Sequence, residues 1–445
     1  MKTKCIARLR NTLLVFVLLP CLAYAQNEKV SNFRPYDKNG INIFETSKED
    51  SIPFSNIRIK IGANFAQQFQ GLRHSNSASV VIDPATGKNI NQLITIGNGF
   101  NLATANLNLD AQLAEGIRLN LITYLSSRHH ENTWVKGGYI QFDKLLFLNN
   151  SVVNDIMKYV TIKVGQSEVN YGDAHFRRTD NGNAVYNPFV GNLILDAFTT
   201  EIGGDITFQR NGVIAVVGIT GGETQGDLTN PSNRHLSYLG KLGYDKQVKD
   251  HLRLRLTGSF YSNVGTNSQS LYRGDRVGSR YYLVMENTSA LTAAPAGSFD
   301  VNPWASGYNP MFSQKVQALM INPFIKLHRL ELFGTYETAK GNSAAESSTR
   351  NVNQWAIDAV YRLGRTENWF IGARYNQVNA DLFLTSTTSQ PIHIDRIQLA
   401  GGWFITKNIL AKAEYVTQNY HDFPANNINS AGKFNGFMIE GVVGF

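Results

Sequence analysis

HLRLRLTGSFYSNV, residues 251–264, sets leucine against arginine at every second position. Successive side chains of an extended strand point to opposite faces, so Leu252, Leu254 and Leu256 share one face and Arg253 and Arg255 the other. The division recurs. In EGIRLNLITYL (115–125) Ile117, Leu119 and Leu121 oppose Arg118 and Asn120, and in NWFIGARYNQV (368–378) Trp369, Ile371 and Tyr375 oppose Arg374 and Asn376. Each strand has one wet and one greasy face. If the greasy face meets acyl chains, an arginine there would cost about 2–4 kcal/mol at mid-membrane, so strict segregation is the expected pattern.

The first 25 residues carry Lys2, Lys4, Arg8 and Arg10, then an apolar run Leu13–Leu19, then Ala-Tyr-Ala before Gln26. This is the pattern of a Sec-type signal peptide, 1–25, with the apolar run too short for a spanning helix. Lipidation at Cys21 is the competing reading, and Pro20 sits badly beside it. Removing 1–25 also removes Cys5 and Cys21, the only cysteines, so the mature chain has no disulfide or thiolate metal site to offer. The formal charge falls from +8 to +4 once the four basic residues leave. Nothing in so mild a balance calls for a nucleic-acid partner.

No later apolar run approaches helix-spanning length; VIAVVGI (213–219) is among the longest. The chain holds 38 Gly, 25 Phe and 19 Tyr, and this composition fits a transmembrane β-barrel. A secreted sandwich or propeller would share that composition, and the connections discriminate better. Sixteen period-two segments can be drawn between 56–70 and 433–445. Tight turns (Glu115-Gly116, Asn211-Gly212, 364–367, Thr406-Lys407) alternate with mostly longer polar loops (71–98, 168–198, 265–315, 421–432). Short turns on one rim and long loops on the other predict an antiparallel barrel, residues 56–445, threaded across a membrane. Leu145–Lys158 reads as a partly helical cap on the short-turn rim. RYYLVMEN (280–287) is strand-like, but a seventeenth stave would break the even count, so it is assigned to the loop 265–315. Residues 26–55 stand outside the pattern as a lead segment near the periplasmic rim or the lumen. Tyr361, Trp369, Trp403, Phe404 and Phe445 cluster at tight turns and predict an interfacial aromatic girdle.

The C-terminal stretches DRIQLAGGWFITKNILAKAEYVTQNY (395–420) and FNGFMIEGVVGF (434–445) resemble the last strands of general and phosphate-selective-type outer-membrane porins. The shared features are Gly-x-Trp, a tight Asn-bearing turn, Lys-x-Glu-Tyr and a terminal phenylalanine. The resemblance implies that Phe437, Ile439, Gly441, Val443 and Phe445 present an insertion signal to the barrel assembly machinery. It also implies a homotrimer in outer-membrane lipid, and a third long loop folded inward as a constriction. Here that loop is 168–198, with Asp173, His175, Arg177, Arg178 and Asp180 as its charged and titratable groups.

Strand parity predicts luminal Arg58, Lys60, Arg118, Lys163, Lys241, Arg253, Arg255, Arg374, Arg396 and Lys412. Facing them are Asp110, Glu201, Asp205, Glu331, Glu337, Asp358, Glu414 and Glu440. Sixteen staves predict an aqueous channel, and this slightly positive wall predicts a nonselective or mildly anion-preferring pore for small hydrophilic solutes and ions. No basic ladder can be shown, so phosphate specificity is not expected. No cofactor is implied.

Other chemistry is weaker. His129 and His130 in RHHEN are adjacent, so a strand would point them to opposite faces, and no further ligand lies at metal spacing. GGETQGD (221–227) lacks the lysine and helix of a phosphate cradle. No nucleophile elbow marks a barrel-embedded hydrolase. The Arg-Gly-Asp triplet at 273–275 leaves open an adhesive role for the loop 265–315.

Overall fold

The structure, a computed structural model, describes residues 30, 32–48, 53–126, 133–222, 235–266, 269–273, 280–288 and 306–445. The signal-peptide reading, RHHEN, most of GGETQGD and Gly274-Asp275 of the Arg-Gly-Asp triplet fall outside those residues. Among the described residues no helix is long and apolar enough to cross a membrane; crossing is left to strands.

The strands are β1 (Arg58–Ser75), β2 (Gly99–Phe100), β3 (Thr104–Ala114), β4 (Ile117–Ser126), β5 (Thr133–Phe142), β6 (Val160–Glu168), β7 (Thr200–Arg210), β8 (Val213–Thr220) and β9 (Ser237–Lys249). They continue as β10 (Leu252–Asn263), β11 (Lys315–Leu327), β12 (Leu330–Asn342), β13 (Arg350–Leu363), β14 (Trp369–Thr385), β15 (Thr388–Thr406), β16 (Ile409–His421) and β17 (Lys433–Gly444). β2 and β3 are two pieces of one stave. Both pair with β1, and the break between them is filled by Asn101, whose backbone N–H donates to the Gln68 carbonyl at 3.0 Å. The sixteen predicted staves are the sixteen formed.

Every neighbour pair is antiparallel, and β1 closes the cylinder by pairing with β17 from Asn64↔Gly444 to Ser75↔Lys433. Phe445 adds two further backbone bonds to Ala63 across the seam, each 3.0 Å. Closure leaves no open sheet edge, which acyl chains could not satisfy.

Alternation decides the faces. On the last strand Phe437, Ile439, Gly441 and Phe445 are exposed and Val443 half-buried, while Phe434, Met438, Glu440 and Val442 are buried. Leu256 is 56% exposed and Ile371 57%, whereas Arg118 and Glu331 are fully buried. A water-soluble protein places such residues the other way round. An apolar exterior wrapped about a charged interior matches a hydrocarbon surrounding.

On the short-turn rim Trp369 and Trp403 are cross-strand partners and stack in parallel, centroids 4.8 Å apart, and Tyr361 and Phe445 are exposed on strand ends of the same rim. Phe404 departs from the expected girdle. It follows Trp403 directly, so the strand turns it inward, and it is buried against Phe370. The 145–158 cap contains a helix, Ser151–Met157, whose first N–H groups are held by the Asn150 side chain. β14 and β15 stay paired as far as Thr385↔Thr388, so this hairpin stands above its neighbours.

Candidate permeation site

The interior is occupied. Residues 32–48 cross the short-turn mouth inside the wall, beginning near the last hairpin, where Lys38 N–H donates to the Lys407 carbonyl at 2.9 Å. Asn42 donates to Glu331 at 2.7 Å and accepts at its backbone carbonyl from Arg253 at 2.9 Å. Phe44 packs edge-on against Phe176 and Phe324. Glu45 pairs with Lys241 (3.2 Å) and Arg255 (2.8 Å). Those two cations outweigh the upward push of burial and pull the Glu45 carboxyl down to about 2. Lys48 ends the crossing on the backbone carbonyls of Asp143 and Val160.

The third loop, between β6 and β7, spans the lumen. Asp173 is its hub: Arg255 donates Nε and Nη2 to the two carboxylate oxygens at 2.7 and 2.8 Å, Thr257 donates at 2.7 Å, and Lys241 lies at 3.0 Å. Burial alone would raise this carboxyl; Lys241 and Arg255 together hold it below the ordinary carboxylate range. Farther along, Val190 N–H donates to Glu414, Ile194 N–H to Asn376 and Leu195 N–H to Gln354, at 2.8, 2.6 and 3.0 Å. Lys412 spends its ammonium on the carbonyls of Ala184, Asn187 and Phe189, beside Glu440 at 2.5 Å. Gly182 presses the opposite shoulder onto β3: a Cβ there would come within 2.6 Å of Ala105 Cα, so only glycine permits the approach.

Pieces of the loop 265–315 descend into the same space. Tyr272 and Tyr171 both donate to Glu337 Oε1, at 2.8 and 3.0 Å, and Tyr281 donates to Glu414 at 2.6 Å. With Val190, Ile194, Leu195, Leu271, Val284 and Phe312 they form a dry core against the inner faces of β8–β17. The predicted arginines on this side face inward yet line no channel. Arg374 is bidentate to Asp358, Arg396 serves the carbonyls of Asn192 and Ser306, and Arg253 and Arg255 are bound as above. Arg118 is paired with Asp143 at 2.7 Å. Arg58 sits at the rim, donating to the Pro53 carbonyl, and Lys60 lies over the Tyr36 ring. The wide channel expected from strand number is therefore corrected: buried ions in a closed cylinder recruited loop partners, because an unpaired buried charge is far costlier than a paired one.

Among the described residues a crevice remains open, a cavity of about 220 Å3 between these fillings and the wall from β3 to β7. That volume has room for on the order of ten waters. Its luminal lining on β7 runs from Thr200 to Gln209, nearly the length of that strand, so it is long and thin. Charged groups along it are Arg34, Lys136, Lys163 and Arg178 against Glu45, Glu168, Asp180 and Asp205, with Tyr139, Tyr186, Asn108, Asn120 and Gln166 between. Of the five predicted constriction residues, His175, Arg178 and Asp180 border it, while Asp173 and Arg177 are spent on the filled side. Arg178 forks onto Asp196 (2.9 and 2.6 Å) over the Phe198 ring, and Asp180 takes Lys136 and Tyr124. His175 Nδ1 meets Glu168 at 2.6 Å; burial lowers the imidazole despite that carboxylate. Lys163 is different. Among the described residues its ammonium has no carboxylate within ion-pair distance, and it lies 5.3 Å from the Tyr139 ring centroid.

Two lining cations escaped strand parity. Lys136 is the extra residue of a β-bulge, where Ile122↔Gly137 is followed by Thr123↔Val135, and the bulge shifts the inward set from Lys136 to Tyr139 and Gln141. Arg34 comes from the aperiodic lead segment, stacked 3.5 Å from the Tyr186 centroid. The only signal for it was a clustering of aromatic and charged residues, Phe33 to Glu45, unusual in a solvated tail.

No family model and no curated protein sequence matches this chain. Solved structures do. The trimer form of OmpT, an outer membrane protein of Vibrio cholerae, superposes with a TM-score of 0.50 over 88% of this chain and 100% of its own, at 10% identity. OprB of Pseudomonas putida, in a high-pH structure, gives 0.50 over 88% and 94% at 9% identity. An anion-selective porin from Comamonas acidovorans gives 0.49 over 88% and 100% at 10%. The fold is that of the sixteen-stranded outer-membrane barrel. At such identities the likeness extends to the fold alone.

Proposed function

We propose that this chain is an outer-membrane porin of narrow bore, whose passage for ions and small hydrophilic solutes is the polar crevice beside β3–β7. The observation that carries this reading is a water-sized, charge-lined cleft running along one side of a lumen otherwise packed like a protein core. A purely structural barrel would have no reason to keep lysine and arginine side chains along such a cleft.

Size follows from the geometry: the bore passes hydrated ions and small solutes and rejects bulky ones. Sign follows from pairing. Glu45, Glu168 and Asp180 each have a cation within 3.6 Å, whereas among the described residues Arg34 and Lys163 have no carboxylate at ion-pair distance and Asp205 alone has no cation, which leaves two positive charges against one negative. The uncompensated charge is positive and the preference mildly anionic. Planar-bilayer recording in a salt gradient is the test. Small unitary currents with a reversal potential displaced toward chloride are expected. Absence of any unitary current sinks the channel, and a clear cation preference sinks the sign. Assembly as a trimer and insertion through the C-terminal strand belong to the same reading. Cross-linking in native membranes tests the first, and assembly yield after Phe445→Ala the second.

A further inference from the structure

The outward face of β14–β16 changes character as it climbs toward the long-loop rim. Tyr375, Ile397 and Thr417 lie in register, then Gln377, Asp395 and Asn419, then Asn379, His393 and His421. The step from apolar to polar side chains marks the upper edge of the hydrocarbon zone. His393 and His421 are direct cross-strand partners with ring centroids 5.2 Å apart, and Asp395 lies two residues along on the same face. One ligand atom from each of the three falls within 4.8 Å of the others.

Chance pairing on a polar rim does not require this set. Two imidazoles and one carboxylate on a rigid antiparallel pair supply three borderline donors with at least one coordination position left open to water. Strand geometry fixes the backbone, so binding demands only small side-chain rotations. A second layer is present as well. Asn379 Oδ1 lies 2.9 Å from His393 Nδ1, and accepting that N–H would leave Nε2 as the metal-facing nitrogen. Asn419 donates to Asp395 at 3.3 Å, and His421 Nε2 lies 2.8 Å from the same carboxylate.

We propose that His393, Asp395 and His421 form a divalent transition-metal site, of the zinc class, on the outer wall at the long-loop rim. A bound ion ties β15 to β16 and, through Asn379, to β14, at the base of the hairpin that stands above its neighbours. The site faces sideways, away from the crevice, so the ion is held rather than conducted. Calcium and magnesium, which favour all-oxygen shells, are not its ligands.

The experiment uses the tag-free full-length mature barrel folded in detergent, titrated with zinc chloride by calorimetry and by competition with a chromogenic chelator. One zinc per chain is expected, with calcium and magnesium failing to compete. His393→Gln with His421→Gln together abolish that equivalent, and Asn379→Ala weakens it roughly tenfold, the scale of a lost orienting partner. Heat-modifiable migration on gels shows whether each variant is folded. Zinc uptake unchanged in the folded double variant overturns the site, as does displacement by calcium at equal concentration or no uptake by the parent protein.

Discussion

The two sides of the lumen are built from the same alternating strands and reach opposite ends. Along β9–β17 each inward charge has met a partner: Arg374 with Asp358, Arg362 with Glu331, Lys412 with Glu440, Arg255 with Asp173. Loop backbone and tyrosine hydroxyls complete the shells, and the apolar residues of two loops seal what is left. Along β3–β7 the inward side chains are Asn, Gln, Thr and Tyr with fewer charges, and the loop and lead segment stop short of the wall and leave the crevice between. Ion density and fill go together. Where charges crowd, desolvated pairing with loop groups closes the space; where neutral polar groups prevail, the wall stays wet without needing protein partners.

Removing the material that separates the two sides has the largest expected effect. Excising residues 32–48 strips Phe44, Glu45 and Asn42 from the short-turn mouth and merges the crevice with the space they fill. Unitary conductance rises severalfold and larger sugars enter proteoliposomes. Conductance unchanged by the excision would show that the lead segment does not narrow the path.

Next comes the hub of the filled side. Asp173→Ala leaves buried Lys241 with Glu45, and Arg255 with Glu45 and Asp245, after both lose their shared carboxylate, a change of the kind that costs about 3–5 kcal/mol. The third loop then loosens, with lower thermal stability and noisy, larger currents. Asp205→Ala, on the crevice side, removes a carboxylate whose one hydrogen-bond partner among the described residues is the Thr207 hydroxyl. It leaves stability nearly unchanged and shifts the reversal potential toward chloride. Equal stability losses in the two variants would erase the distinction between a structural and a permeation carboxylate.

Acid probes the same hub without mutation. Asp173 and Glu45 both titrate below their ordinary values, Glu45 at about 2. Groups depressed by folding contribute stability above the unfolded carboxylate range near 4, and that contribution is lost as pH falls toward the folded values. Melting temperature and current noise therefore hold steady from pH 7 to about 4 and deteriorate below it. Glu45→Gln flattens part of that acid limb.

How much of this was legible in the chain differs between wall and filling. Period-two segregation in stretches such as 251–264 places every stave, because lipid outside and charge inside leave a strand no other register. It also turns Lys163 and Asp205 correctly inward. Pairing is a different matter: whether Arg374 meets water or Asp358 depends on a cross-strand register and on a loop 183 residues away in sequence, at Gly191. A one-residue bulge hid Lys136, adjacency misled at Phe404, and the aperiodic 32–48, read only as near the periplasmic rim or the lumen, carried no sign of which groups it would meet.

The smallest effect is the most diagnostic. Lys163 and Asp205 are cross-strand partners on β6 and β7, yet no ion pair joins them, and the ammonium rests near Tyr139 within the crevice. If ions pass along this wall they pass that ammonium, whereas a path through the filled side would be screened from it by the third loop. Lys163→Gln removes one uncompensated positive charge without emptying space, so conductance and melting temperature stay put. The reversal potential moves a few millivolts toward neutrality, more at low salt because screening is weaker there. A Lys163→Gln channel with the parent's selectivity at low salt would move the permeation path away from β3–β7, whatever the barrel's conductance.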